Sequence, residues 1–391
     1  MRQIWAVLLL AATVAGCAID DSGPVRSVWR PQPAKSTYSS VVYVTDREAD
    51  ASFPGGFATR WAGKPSCGTA EAIVPPAMAP GEVPQYGYVA KSHPVACTSP
   101  GKAKLAGAIA LIEAEAAAKH CRSVFLFVHG FHTGFDGAVL RAAQVAQDAQ
   151  TGCVTAAFSW SAEINVDRYV SDLEHSDYAE PLLAEFLREL AESRLRVTVL
   201  GHSLGSRLTL MTLSGLGQSR EPPPQGFIDE LVLAGADVGV EPKNNDFLKL
   251  MAGAAPFAKR TTIYASTYDT VLEISRREHG GVKRLGTSTD FTFKPDDSSH
   301  VVDVIDASGA RADSLDHSYY AMSPEAMNDM TLALAGVSLQ TRLKPGKEWP
   351  ATLTCGPACA GKMRLQTPDT RSPRFITRFI LHVLPIIPLV R

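Results

Sequence analysis

The chain has 391 residues, 45% hydrophobic and 20% charged, which is length and apolar content enough for a large buried core. Lys+Arg 38 against Asp+Glu 40 leaves a net charge of −2 with no long run of one sign, and this excludes the basic footprint on which nucleic-acid binding depends. Gly 30 and Pro 26 are ordinary values, so collagen-like and broadly disordered chains are excluded as well.

In chain order, Arg2 precedes an apolar run from Ile4 to Thr13. That run suits the core of a signal peptide and is shorter than the roughly 20 residues that span a bilayer. It ends in Val14-Ala15-Gly16-Cys17, small residues ahead of a cysteine. This resembles the bacterial lipoprotein signal, in which cleavage precedes the cysteine and lipid is attached to it. Residues 1–16 then read as the signal, and residues 17–40, rich in Pro and Ser, as a lipidated Cys17 followed by a tether. Ala18 stands where an Asp would resemble an inner-membrane retention signal. The expected location is therefore the cell envelope, at the outer membrane facing the periplasm.

Val41 to Val44 reads as a first strand, and residues 53–100, rich in Gly and Pro, as an irregular insertion or one with short antiparallel strands. The alanine-rich stretch Lys102 to His120 reads as a helix. A rhythm then begins. The apolar runs Val124–Val128, Val154–Phe158, Val197–Leu200, Leu231–Ala234, Thr262–Ala265 and Val301–Ile305 continue the series, the first three followed by helical stretches at Asp136–Gln150, near Pro181–Ser193 and at Leu204–Leu216. Short, uniformly apolar strands alternating with helices predict an α/β domain over residues 41–345, with a mostly parallel sheet covered by helices on both faces. Residues 346–391 form a C-terminal extension whose apolar tail, Phe375 to Arg391, is broken by Arg378, Pro385 and Pro388. The tail either packs on the body or lies at a membrane interface.

With Cys17 set aside, Cys67, Cys97, Cys121, Cys153, Cys355 and Cys359 remain, an even set that argues for disulfides in an exported protein. Cys121 and Cys153 each stand just before an apolar run, so neighbouring parallel strands would bring them together. Cys67 with Cys97 would staple the Pro/Gly-rich excursion, and Cys355 with Cys359 would close a tight loop. Zinc is the rival reading, but no histidine lies near these pairs at ligand spacing.

The run Val197–Leu200 leads directly into Gly201-His202-Ser203-Leu204-Gly205 and then a helix. A G-x-S-x-G pentapeptide alone is weak, but strand–turn–helix is the setting that a nucleophile elbow requires. The glycines let the backbone turn sharply, and the helix points its amides at developing negative charge. A serine hydroxyl needs a base, and the base an orienting carboxylate. Of the histidines after Ser203, His279 sits before the last strand, His300 at its wrong end, and His382 in the apolar tail. His317, on a loop after the last strand, is the expected base. Asp269 is the preferred acid, with Asp237 as the alternative at the end of the preceding strand and Asp316 as a distant third. The oxyanion donors are expected to be the amides of Leu204 and of Phe131, the latter on the His129-Gly130-Phe131 turn after an earlier strand. His129 and His132 fit a hydrogen-bonded loop better than a metal site, because no third ligand stands out.

With these residues assembled, the chain resembles a bacterial family of functionally uncharacterised α/β-hydrolases within the esterase/lipase superfamily. The resemblance runs from about Val41 to Gly336. It is carried by Tyr43-Val44-Thr45-Asp46-Arg47, His129-Gly130-Phe131, Phe158-Ser159-Trp160-Ser161, the elbow, Leu233-Ala234-Gly235-Ala236-Asp237, Tyr268-Asp269-Thr270-Val271-Leu272 and His317-Ser318-Tyr319-Tyr320. Members commonly carry Pro where this chain has Ser161 and Ala236, which puts loop shape in doubt rather than the triad. The resemblance implies the α/β-hydrolase fold and serine-hydrolase chemistry. The leading expectation is hydrolysis of a small-molecule or lipid ester through an acyl-enzyme, with no cofactor and no metal. The alternatives are an acyltransferase on the same triad, or an inactive envelope binding or scaffold lipoprotein. Aromatic residues near the site, Phe131, Trp160 and Tyr320, favour a lipid substrate slightly.

Overall fold

Strands that are apolar on both faces are stable only where helices cover both sides, and that requirement shapes this chain. The computed structural model describes residues 37–342, apart from 54, 75–87, 99–100, 102, 152, 166–167, 242–245, 290–300 and 311–314, together with 362–366. The signal, Cys17 and most of the tether, His300, Cys355, Cys359, His382 and the tail from Phe375 lie outside these residues.

The described strands are β1 (Thr37–Ala49), β2 (Phe57–Val74), β3 (Tyr88–Val95), β4 (Ser123–Val128), β5 (Val154–Ser159), β6 (Arg196–His202), β7 (Ile228–Ala234), β8 (Arg260–Ala265), β9 (Val301–Gly309) and β10 (Lys362–Gln366). They form a single sheet in the order β10-β9-β8-β7-β6-β4-β5-β1-β2-β3. Neighbours from β10 to β1 run parallel, and β2 and β3 add an antiparallel edge. The helices are α1 (Ala106–Ala118), α2 (Phe135–Asp148), α3 (Tyr169–Glu192), α4 (Leu204–Gly217), α5 (Asp246–Ala254), α6 (Thr270–Glu278), α7 (Tyr319–Met322), α8 (Pro324–Leu334) and α9 (Leu339–Arg342). The α/β-hydrolase architecture expected from the sequence is the one found.

Alternation along a strand divides the core in two. Val124, Leu126 and Val128 of β4 pack with α1, α3, α4 and α5, whereas Phe125 and Phe127 pack with α2, α7 and α8. No helix among the described residues is long and apolar enough to cross a membrane.

Three expectations need correction. Where residues 53–100 are described they are not irregular: the antiparallel strands of the second reading are present, but they are longer, 18 residues in β2 and 8 in β3, and belong to the main sheet. The register jumps from Thr45↔Ser66 to Arg47↔Trp61, so Gly63 and Pro65 lie in a bulge and bend the strand without ending it. β1 begins at Thr37, so residues 37–40 belong to the sheet and not to the tether. Helix α3 starts at Tyr169, well before Pro181, because the buried face continues upstream through Asp172, Ser176 and Ala179. Two of those three are polar, which is why apolar periodicity did not reveal it.

Both disulfides expected within the described residues form. Cys67–Cys97 has a Cα–Cα distance of 5.2 Å and Cys121–Cys153 one of 5.8 Å, the latter joining the starts of neighbouring strands β4 and β5.

Candidate active site

Strand β6 delivers its chain into a sharp turn at Ser203, whose φ of 54° and ψ of −120° place a non-glycine residue in a strained conformation. The flanking glycines make the turn possible. A Cβ on Gly205 would run into the carbonyl oxygens of Val128 and His129, and one on Gly201 would come 2.8 Å from the Ser206 Cα. Ser203 N–H donates to Ala234 O at 3.0 Å, fixing the elbow to the end of β7.

The next residue, Gly235, has a φ of +52°, and a Cβ there would lie 3.4 Å from His317 Cε1 and 3.5 Å from Asp269 Oδ2. Backbone one bond away from Ser203's partner thus forms the floor beneath the other two residues. Asp269 caps α6, accepting from Leu272 N–H through Oδ1 at 3.0 Å, and its Oδ2 lies 2.8 Å from His317 Nδ1. Helix capping holds the carboxylate, which in turn fixes the imidazole. A proton on Nδ1 places the neutral ring's lone pair on Nε2. Ser203, Asp269 and His317 are 2%, 1% and 7% exposed, so any charge that forms there is poorly screened by water.

The structure brings His317 to Asp269 and not to Asp237. Asp237 is fully buried and committed elsewhere: Arg284 Nε lies 2.5 Å away, and the hydroxyls of Tyr169 and Ser275 donate to it at 2.6 and 2.7 Å. Burial opposes its charge, but Arg284, Tyr169 and Ser275 prevail and hold its carboxyl below the usual range. Its N–H donates to Ser203 O at 3.3 Å, so the ion pair braces the elbow from beneath. Asp316, the third acid considered, is buried with a φ of 49° beside the histidine. His279 caps the end of α6, with its Nδ1 2.8 Å from Ser275 O.

The turn after β4 is held through its carbonyls. Trp160 Nε1 donates to His129 O at 2.8 Å, His129 Nδ1 to Gly130 O at 2.8 Å, and Thr133 Oγ1 to Phe131 O at 3.2 Å. Among the described residues no hydrogen bond engages the amide of Phe131, and Leu204 opens α4, where no carbonyl of an earlier turn can reach its amide. A Cβ on Gly130 would lie 2.8 Å from Ser203 Cβ, so the turn passes directly against the nucleophile. His129 is stacked flat on Trp160, ring centroids 5.1 Å apart. No group of three or more His, Cys, Asp or Glu side chains among the described residues is arranged to hold a metal.

Two aromatics expected near the site are core residues. Trp160 and Tyr320 are fully buried, Trp160 under His129 and Tyr320 against the His202 ring at 4.5 Å, so neither offers a surface to substrate. Phe131 alone is part-exposed, edge-on to Tyr169 at 5.5 Å. Sequence reasoning missed His202, the variable position of the elbow, whose ring lies 4.6 Å from that of His317 and whose Nε2 is 3.3 Å from His317 O. It also missed Tyr169 and Arg284, which no motif marks.

A strained serine at the end of β6, and a histidine–aspartate pair against Gly235 at the end of β7, stand at the strand ends of an α/β-hydrolase fold. The model of the family described as "Alpha/beta hydrolase of unknown function (DUF900)" matches residues 109–335, more than half of the chain, and the chain belongs to that family. No curated protein matches the sequence. Among solved structures, a dienelactone hydrolase from Anabaena variabilis is 14% identical, with 77% of this chain and 95% of that one covered at a TM-score of 0.30. An esterase of Rhizomucor miehei is 11% identical, with 84% and 96% covered at a TM-score of 0.37. An esterase/lipase from an uncultured bacterium is 11% identical, with 84% and 97% covered at 0.32.

Proposed function

We propose that the protein hydrolyses carboxylic esters through a Ser203–His317–Asp269 triad. The observation that carries this reading is the 2.8 Å contact between Asp269 and His317, held against Gly235, the residue after the one to which the strained Ser203 donates its amide. In the proposed reaction His317 Nε2 takes the Ser203 proton as Oγ bonds to the ester carbon. The carbonyl oxygen becomes an oxyanion received by the amides of Phe131 and Leu204. The bond to the alcohol oxygen then breaks, with His317 returning the proton to the alcohol, and an acyl-serine remains. Water, deprotonated by His317, attacks that acyl carbon and releases the acid and free Ser203.

A fluorophosphonate probe tests the assignment: wild type is expected to label and Ser203→Ala not to. Labelling retained in Ser203→Ala overturns it. Lipid attachment at Cys17 and an envelope location complete the proposal, and loss of detergent-phase partitioning in Cys17→Ala is the expected result.

A further inference from the structure

Arg47 is fully buried, yet among the described residues no carboxylate lies within ion-pair distance of it. Its donors go instead to uncharged oxygens on three separate segments. Nη2 donates to Thr133 O at 2.6 Å, Nη1 to Ala162 O at 3.0 Å and Ala58 O at 3.4 Å, and Nε to Ser159 Oγ at 3.0 Å. Burying a guanidinium without a direct carboxylate partner is costly, and the charges of Asp46, Asp172, Glu163 and Asp136 around it offset that cost only in part. What a guanidinium adds is a rigid fork that fixes several oxygens at set angles, which a lysine cannot reproduce. One of those oxygens, Thr133 O, closes the turn that passes beside Ser203.

Asp172 works on the same turn from the other side. Its Oδ1 accepts from Glu163 N–H at 2.8 Å and its Oδ2 from His132 N–H at 3.5 Å. Together the two residues engage the amide of His132 and the carbonyl of Thr133, while no hydrogen bond among the described residues engages the amide of Phe131 in the same turn.

We propose that Arg47 is a positioning residue for this site, locking the 129–133 turn so that the Phe131 amide is held where an oxyanion would form. This rests on the ester-hydrolase reading for the use of that amide, although the locking itself does not.

The test compares Arg47→Lys, which keeps the charge and loses the fork, with wild type. Turnover of 4-nitrophenyl butyrate is expressed per site titrated by a fluorophosphonate, so that unfolded molecules are not counted. The expected result is a fall in kcat per titrated site of about 10²-fold with KM within about twofold, since misplacement harms the transition state and spares ground-state binding. Unchanged kcat per titrated site overturns the proposal, because a residue serving only stability would reduce the number of sites and not their rate. Should Arg47→Lys fail to fold, Ser159→Ala, which removes one acceptor, is expected to lower kcat per site less but in the same pattern. Amide exchange over residues 129–135 is read in parallel, and faster exchange confined to that stretch supports the locking. If wild type neither labels nor turns over ester, the hydrolase reading fails by itself. Exchange then decides the positioning, and an unchanged rate in the variant overturns it.

Discussion

Asp269 Oδ2 lies 2.8 Å from His317 Nδ1, while the second oxygen of the same carboxylate caps helix α6. One side chain thus ties the orientation of a ring to the start of a helix. Asp237, equally well placed along the chain, is instead saturated by Arg284, Tyr169 and Ser275.

The two aspartates should therefore fail differently. Asp269→Asn is expected to lower kcat by about 10³- to 10⁴-fold, with little change in melting temperature, because the amide favours the wrong histidine tautomer. Asp237→Asn leaves Arg284 buried without its counter-charge and should cost about 3 to 5 kcal/mol of stability. Ester turnover and thermal melts of both variants check this, and a larger kcat loss in a stable Asp237→Asn would contradict it.

Gly205 admits no side chain, since a Cβ would strike the carbonyls of Val128 and His129 at the end of β4. Backbone on both sides cannot yield as a flexible side chain would. Gly205→Ala is expected to cost about 3 kcal/mol, seen as a fall in denaturation midpoint and in soluble yield. A midpoint equal to wild type would show that the elbow can relax.

Cys121–Cys153 joins points 32 residues apart in the chain. The chain-entropy relation puts the cost of losing such a link at about 3 to 4 kcal/mol. The double variant Cys121→Ser/Cys153→Ser should show that drop in guanidinium melts, and reductant should have less effect on it than on wild type.

Glu230 of β7 is a carboxyl that burial raises from 4.5 to about 8, with Thr262 Oγ1 donating to it, Arg260 Nε 3.6 Å away, and Arg342 and Asp303 nearby. The folded state holds a proton that the unfolded chain releases, so this stability is complete below about pH 4.5 and is lost as pH rises through about 8. Glu230→Gln has no proton to lose. Its stability relative to wild type should therefore rise between pH 5 and pH 9, by a margin on the order of 4 kcal/mol, seen as a relative gain in melting temperature. A constant difference across that range would mean that the carboxyl is ionised throughout.

The parallel strands and the elbow were legible because their signals are local: continuous apolar runs, then glycines at fixed offsets around Ser203. The cysteine pairs were legible for a related reason, as Cys121 and Cys153 precede two runs that parallel pairing aligns. The long β2 was hidden by Gly63 and Pro65, whose local preference is to break a strand and which sit in a bulge instead. The start of α3 was hidden because Asp172 and Ser176 face inward as hydrogen-bonding groups, so its buried face does not look apolar. The sequence favours Asp269 over Asp237, but the partner that commits Asp237 elsewhere, Arg284, lies 47 residues from it in the chain and no motif flags it.

The placement of β1 also bears on how the molecule comes together. Its antiparallel partners are close in sequence, Thr45 opposite Ser66, while its parallel partner β5 brings Ser159 to the same residue. Loop closure is less costly over the shorter span, and local pairings form first. The β1–β2–β3 meander is thus the part of the sheet that can zip up early, carrying Arg47 with it. With the meander paired first, strand β5 and the turn after β4 would meet an edge that already carries Arg47, and the arrangement around Ser203 would be set by that edge instead of by the final packing step.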